Sequence, residues 1–297
     1  MRNAAAKEIT QYCQENKDGF LISGDAGFGV WDSFQKELKS QYINPGINEQ
    51  ATIGLASGMA LSGHKVFYYN IIPFVLMRCY EQVRLDICYQ ELPVILIGIG
   101  SGITYAPAGM THYSIEDIAI AKTMPNLNII SPSDPIQVQK AVQYAIKSKQ
   151  PTYIRISRSG EPTLFEKDTD ITRPSCLKEG SKKAIIFHGS IVDEVLKAGE
   201  VLEDVAIISF ALISPLDVGE TKRILEKYES VYVVEEHFEN GGLGTILSDF
   251  IIENKLSVSI EKIAIENHFI HKIGDCNYLR KELNIDSESI IERINNG

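Results

Sequence analysis

The chain has 297 residues, enough for about two domains of ~150 residues, each able to bury a sizeable core. Hydrophobic residues make up 44% and charged residues 23%, which excludes a disordered chain, and the net charge of −10 argues against a nucleic-acid binder, whose phosphate contacts need clustered Lys and Arg. No apolar run approaches the ~20 residues that span a bilayer, the opening MRNAAAKEIT lacks an apolar signal core, and the five cysteines show no CxxC pair, so a cytoplasmic chain with reduced thiols and no zinc site is expected.

Short apolar runs alternate with amphipathic stretches, the pattern of βα units and a parallel sheet. In chain order, strands are predicted near 20–23, 41–43, 65–69, 93–98, 128–130 and 152–156. Helices are predicted near 48–62, 74–90, 115–123 and 134–148. The last opens on Asp134-Pro135, an N-cap followed by proline at the first helical position. Residues 166–183, EKDTDITRPSCLKEGSKK, have no apolar period and carry a proline and a glycine, so they read as a linker. Beyond them strands are predicted near 184–188, 205–209, 231–235 and 262–265, and helices near 191–202, 217–229, 242–254 and 275–295. The expected architecture is α/β, with two doubly wound domains of mainly parallel sheet, over 1–165 and 184–297. Charge supports the division. The first 165 residues hold 14 basic and 14 acidic side chains, whereas residues 166–297 hold 15 basic and 25 acidic ones and carry the whole −10.

Four stretches carry candidate chemistry. In INPGINEQATIGLASGMALSG, residues 43–63, a strand ends at Pro45-Gly46 and a helix rich in small residues opens around Glu49. A carboxylate there is favoured by the helix dipole; it reads equally as an ordinary exposed glutamate of a first turn. In residues 68–90 a helix starting near Pro73 carries Phe74, Met77 and Tyr80 on nearby faces, with Arg78 and Arg84 elsewhere. This reads first as a core stripe, and otherwise as an aromatic wall for a flat ring. The stretch GIGSGITYAPAGMTHYSIED, residues 98–117, holds a loop of ~16 residues with His112 near its end, long for a βα connection and placed where open α/β sheets bind ligands. In PTYIRISRSGEP, residues 151–162, Arg155 and Arg158 sit at or past a strand end. Arg158 suits a phosphate or carboxylate, and equally a surface ion pair. Two glycine-rich stretches are set aside. GDAGFG, 24–29, matches neither the P-loop nor the dinucleotide fingerprint, and EEHFENGGLG, 235–244, reads as structural.

Taken together, GINEQ (46–50), FVLMRCYEQVR (74–84), GMTHYSIED (109–117), RISR (155–158) and EEHFENGGLG (235–244) resemble the thiamine diphosphate-dependent transketolase family. The resemblance covers nearly the whole chain, as a pyrimidine-binding domain followed by a C-terminal domain, in the manner of a separately encoded C-terminal subunit. It implies a transferase that moves a two-carbon ketol unit between sugar phosphates. Glu49 matches the glutamate that hydrogen-bonds the aminopyrimidine ring and relays general acid–base chemistry through the cofactor. Phe74 matches a residue stacking on that ring, or Val75 with a one-residue shift, and Arg78 and Tyr80 fall near the same pocket. His112 matches a substrate-facing histidine, and Arg158 an arginine that binds the sugar phosphate.

Two departures leave the sugar open. The resemblance puts an aspartate that reads a substrate hydroxyl four residues before the histidine, where Ala108 stands, and a second histidine upstream, where the chain has Gly100. The family holds the diphosphate and its magnesium on another domain through a GDG…N motif that this sequence lacks, so no metal ligand is expected here. An N-terminal partner subunit of ~270 residues is expected to supply them, in an α2β2 assembly. Two other readings stand beside this one: the beta subunit of a 2-oxoacid dehydrogenase decarboxylating component, and a non-catalytic partner subunit.

Overall fold

Alternating apolar strands and amphipathic helices assemble into two mainly parallel sheets in the computed structural model, which describes residues 1–158 and 160–297. The first part of the chain forms α1 (Arg2–Glu15), β1 (Gly19–Ser23), α2 (Asp32–Glu37), β2 (Tyr42–Ile43), α3 (Glu49–Leu61), β3 (Lys65–Ile71), α4 (Tyr80–Gln82), β4 (Ile95–Ile99), α5 (Asp117–Lys122), β5 (Asn128–Ile130), α6 (Pro135–Lys147) and β6 (Thr152–Ile156). The second part forms β7 (Ser175–Lys178), β8 (Lys183–Phe187), α7 (Val192–Val201), β9 (Val205–Ser209), β10 (Leu212–Ser214), α8 (Val218–Leu225), β11 (Ser230–Phe238), α9 (Leu243–Glu253), β12 (Ser259–Ile265), α10 (Cys276–Glu282) and α11 (Ser287–Asn296).

The larger sheet runs β10-β5-β6-β4-β3-β1-β2 and the smaller β12-β11-β8-β9-β7, parallel except where β10 meets β5 and β7 meets β9. Central strands such as β4, ILIGI, are buried on both faces, as a parallel sheet covered by helices requires. Capping follows the sequence closely. Asp134, Asp217, Asp275 and Asp286 each accept a backbone N–H from the first turn of the helix they open.

Several elements depart from the reading of the sequence. The helix predicted over 275–295 is two helices, because Asn284 takes a left-handed conformation (φ 55°) and Asp286 caps a new start. The helix predicted over 74–90 is a succession of segments, with π-helical turns at Pro73–Met77 and Val83–Cys88. Within 166–183, read as linker, Ser175–Lys178 pairs antiparallel with β9. Strand β10 crosses to the other sheet, pairing Leu212 with Ile130, so the second part of the chain supplies the edge of the first sheet. Helix α1 was not expected at all. Its buried positions, Ala5, Ile9 and Cys13, make a stripe too thin to rise above a polar background.

The two units meet across a buried polar seam. Ser131 Oγ lies 2.8 Å from His188 Nδ1, and His188 Nε2 lies 3.1 Å from Glu235 Oε2. Burial opposes ionisation of Glu235, yet the bond from His188, the nearby His237 and the backbone N–H of Gly244 hold its pKa at about 2. Burial pushes the His188 pKa down, keeping the imidazole neutral. A carboxylate depressed on folding stabilises the protein above its unfolded pKa and loses that contribution as pH falls toward the folded one. Urea unfolding should therefore show stability declining from about pH 4.5 toward pH 2, and Glu235→Gln should flatten that decline.

Candidate active site

Strand β2 ends at Ile43, the chain turns through Gly46 (φ 71°), and α3 begins with Glu49 as its first residue. The start of α3 thus delivers a carboxylate to the carboxyl ends of β1 and β3, where open α/β sheets bind ligands. Glu49 is 8% exposed. Its Oε1 accepts a bond from Arg78 Nη1 at 2.8 Å, and its Oε2 has no partner among the described residues. The carboxylate lines a cleft of about 420 Å³ with Gly24, Asp25, Ala26, Gly46, Ile47, Asn70, Ile71, Phe74 and Arg78.

The π-turn at Pro73–Met77 sets Phe74 and Arg78 side by side, and the guanidinium carbon lies 4.2 Å from the centre of the Phe74 ring. Phe74 also meets His112, with ring centres 5.6 Å apart in an edge-to-face arrangement. His112 rides on the loop between β4 and α5, whose ends are tied by bonds from Ser114 N to Gly102 O and from Ser114 Oγ to Gly100 O. Its Nδ1 lies 2.9 Å from Thr111 Oγ1. His112 also meets Tyr105, with ring centres 6.2 Å apart, and the Arg158 guanidinium lies 5.9 Å from the Tyr105 ring.

Glu49, Arg78, Phe74, His112 and Arg158, which sequence reasoning singled out from four separate stretches, thus lie in one continuous string. Tyr80 does not join it. Its hydroxyl pairs with Thr123 Oγ1 at 2.8 Å, and it does not line the cleft. Three contributors were not anticipated: Tyr105, Asn70, and the Gly24–Ala26 turn, which sequence reasoning set aside as a false phosphate loop. The position of that turn, directly after β1, was the signal available for it. The other stretch set aside is structural. Glu235 accepts bonds from Leu243 N and Gly244 N, so its own carboxylate fills the anion position at the start of α9. Arg155 behaves unlike Arg158. It is fully buried within β6, with Nε 2.8 Å from Asp117 Oδ2.

The cleft combines an apolar wall (Ile47, Ile71, Phe74) with the Glu49 carboxylate, whose second oxygen has no partner among the described residues. That donor set fits a flat heteroaromatic ring carrying a nitrogen for the carboxyl group. Its charged lining is Asp25, Glu49 and an arginine already paired to Glu49, which does not fit a diphosphate. Among the described residues there is no group of three or more His, Cys, Asp or Glu side chains arranged to hold a metal ion, and no helix long and apolar enough to cross a membrane.

Comparison with known proteins matches both parts of the chain to described domains. The pyrimidine binding domain of transketolase matches residues 1–162, and the transketolase C-terminal domain matches residues 175–290. A protein of Phocaeicola vulgatus, named as one of the subunits of an apulose-4-phosphate transketolase, is 31% identical, over 97% of this chain and 94% of its own. A protein of Methanocaldococcus jannaschii named putative transketolase C-terminal section is 32% identical, over 99% of this chain and 95% of its own. A solved structure described as a split gene transketolase, inactive beta4 tetramer, superposes with a TM-score of 0.88 at 25% identity, covering 99% of this chain and 96% of that one.

Proposed function

We propose, for a chain that belongs to the transketolase family as the C-terminal subunit of its split form, that it builds the ring-binding and sugar-binding half of a thiamine diphosphate-dependent active site. The observation that carries this reading is the string from Glu49 through Phe74 and His112 to Arg158, one end suited to a heteroaromatic ring and the other to a phosphorylated sugar. Thiamine diphosphate, when bound, supplies the carbon nucleophile and electron sink for transfer of a two-carbon ketol unit. The residues of this chain hold and orient. Glu49 holds a proton between Oε2 and the ring nitrogen, Arg78 fixes the carboxylate through Oε1, and Phe74 with Ile47 and Ile71 provides the wall and excludes water. His112 faces the reacting end of the sugar, and Arg158 pairs with its phosphate.

The diphosphate and its magnesium belong to an N-terminal partner subunit in this reading. The acidic lining of the cleft supports it, as do the exposed apolar side chains beside it, Phe28 at 91% and Ile47 at 78%. The outward face of α3, with Ala51, Gly54, Leu55 and Gly58 exposed, lets another helix approach closely. The related structure described as an inactive beta4 tetramer supports the need for a second kind of subunit, and an α2β2 cytoplasmic enzyme is the assembly proposed. The apulose-4-phosphate name of one relative points to a phosphorylated sugar as substrate.

Calorimetric titration gives the direct test. The isolated chain should show no tight magnesium-dependent binding of thiamine diphosphate, whereas its mixture with the partner subunit should. The same mixture should transfer a ketol unit between sugar phosphates and should not acylate lipoamide. Tight binding by the isolated chain would overturn the division of labour, and lipoamide acylation would favour a dehydrogenase component.

A further inference from the structure

We propose that Tyr105 is a substrate-contacting residue that helps decide which phosphorylated sugar the site accepts, an inference that rests on the reading of His112 and Arg158 above. Its ring neighbours both side chains, 6.2 Å from the His112 ring centre and 5.9 Å from the Arg158 guanidinium carbon. The middle of a sugar held at one end by His112 and at the other by Arg158 therefore passes over Tyr105.

Three features show that the ring is built into this place. Gly100 has φ 88°, and a Cβ added there would lie 2.2 and 2.3 Å from Tyr105 Cδ2 and Cε2, so the tyrosine ring occupies the volume that any side chain at position 100 would need. The backbone of Tyr105 is pinned, its carbonyl accepting the Ala108 N–H at 2.8 Å at the start of a short 3₁₀ turn. The hydroxyl has no hydrogen-bond partner among the described residues, and the residue as a whole is half-buried.

Burial raises the Tyr105 pKa, with Arg158 and Arg2 pulling the other way, so the phenol stays a neutral donor at working pH. On this side of the loop Ala108 offers only a methyl group. The middle of the substrate thus meets one neutral donor and an aromatic face, and position 108 brings no side-chain acceptor for a hydroxyl. The chemical class that fits is a sugar phosphate recognised through an oxygen acting as acceptor toward Tyr105 and a phosphate held by Arg158 over the same ring.

The test uses Tyr105→Phe and Tyr105→Ala in the enzyme reconstituted with its partner subunit. Binding of ribose 5-phosphate is measured by calorimetry, and KM, kcat and thiamine diphosphate affinity are measured alongside. Loss of the hydroxyl in Tyr105→Phe should weaken ribose 5-phosphate binding and raise KM about tenfold, with a smaller change in kcat and unchanged cofactor affinity. Tyr105→Ala should weaken binding further and reduce discrimination between phosphorylated aldoses of different length. Binding within about twofold of wild type in Tyr105→Phe would overturn the proposal, as would a loss seen only in cofactor affinity. If Tyr105→Ala does not fold, Tyr105→Phe decides. If the wild-type pair transfers no ketol unit, the proposed function fails, while the binding comparison still judges Tyr105.

Discussion

Replacing Glu49 by Gln in the enzyme reconstituted with its partner subunit will lower kcat at least about 100-fold, the scale on which removing a placed acid–base group acts. The substitution is isosteric. It keeps an oxygen acceptor beside Arg78 and the first-turn position in α3, and it removes the carboxyl proton site at Oε2, the oxygen left unengaged in the cleft. The fold should notice little, because the lost ion pair is with Arg78, whose side chain is 45% exposed, and pairs open to solvent contribute little to stability. Thermal unfolding of the two proteins should therefore nearly coincide while their turnover separates. Retention of more than a tenth of the wild-type rate would remove Glu49 from the acid–base chemistry and would favour a subunit that only scaffolds its partner.

Replacing Asp117 by Ala will have the opposite profile, a large loss of stability from a residue outside the cleft. Asp117 is fully buried at the start of α5, where its Oδ2 accepts Tyr153 Oη at 2.6 Å and Arg155 Nε at 2.8 Å. Arg155 in turn donates from Nη2 to Ser114 O, which anchors the end of the loop carrying His112. Without the carboxylate, a buried guanidinium is left unpaired, at a cost of roughly 3–5 kcal/mol. Against a typical total of about 5–15 kcal/mol, that brings the protein close to unfolding at room temperature. Equilibrium urea denaturation measures it. A loss below about 1 kcal/mol would mean that the surrounding structure relaxes around the missing charge, and that Asp117 is not what holds Arg155.

Much of the site was legible because its residues sit at local landmarks. Glu49 opens a helix after a Pro-Gly turn, His112 ends a long glycine-bearing loop, and Arg158 follows a strand, and each of these is a pattern in consecutive residues. Tyr105 had no such mark. Its importance comes from filling the space above Gly100, five residues away, on a loop whose path no period describes. Tyr80 had the mark of a shared helical face, yet the π-turn before it rotates the following residues, and it pairs with Thr123 instead. Strand β10 was hidden for another reason. Three residues that pair antiparallel with a strand more than 80 positions earlier carry no local signal of that pairing.

The sequence by itself determined the α/β class, the two parallel sheets, the capped helix starts and most of the candidate residues, because period, caps and turns are properties of neighbouring amino acids and of the backbone they restrain. Tertiary packing decided what those residues face. The alternation of β6 puts Tyr153 and Arg155 on one side of the strand, but only the approach of α5 supplies Asp117, turning one arginine into a buried anchor while Arg158, three residues on, stays in solvent. A charge is buried or exposed according to the partner that reaches it, and here that partner lies 38 residues away along the chain.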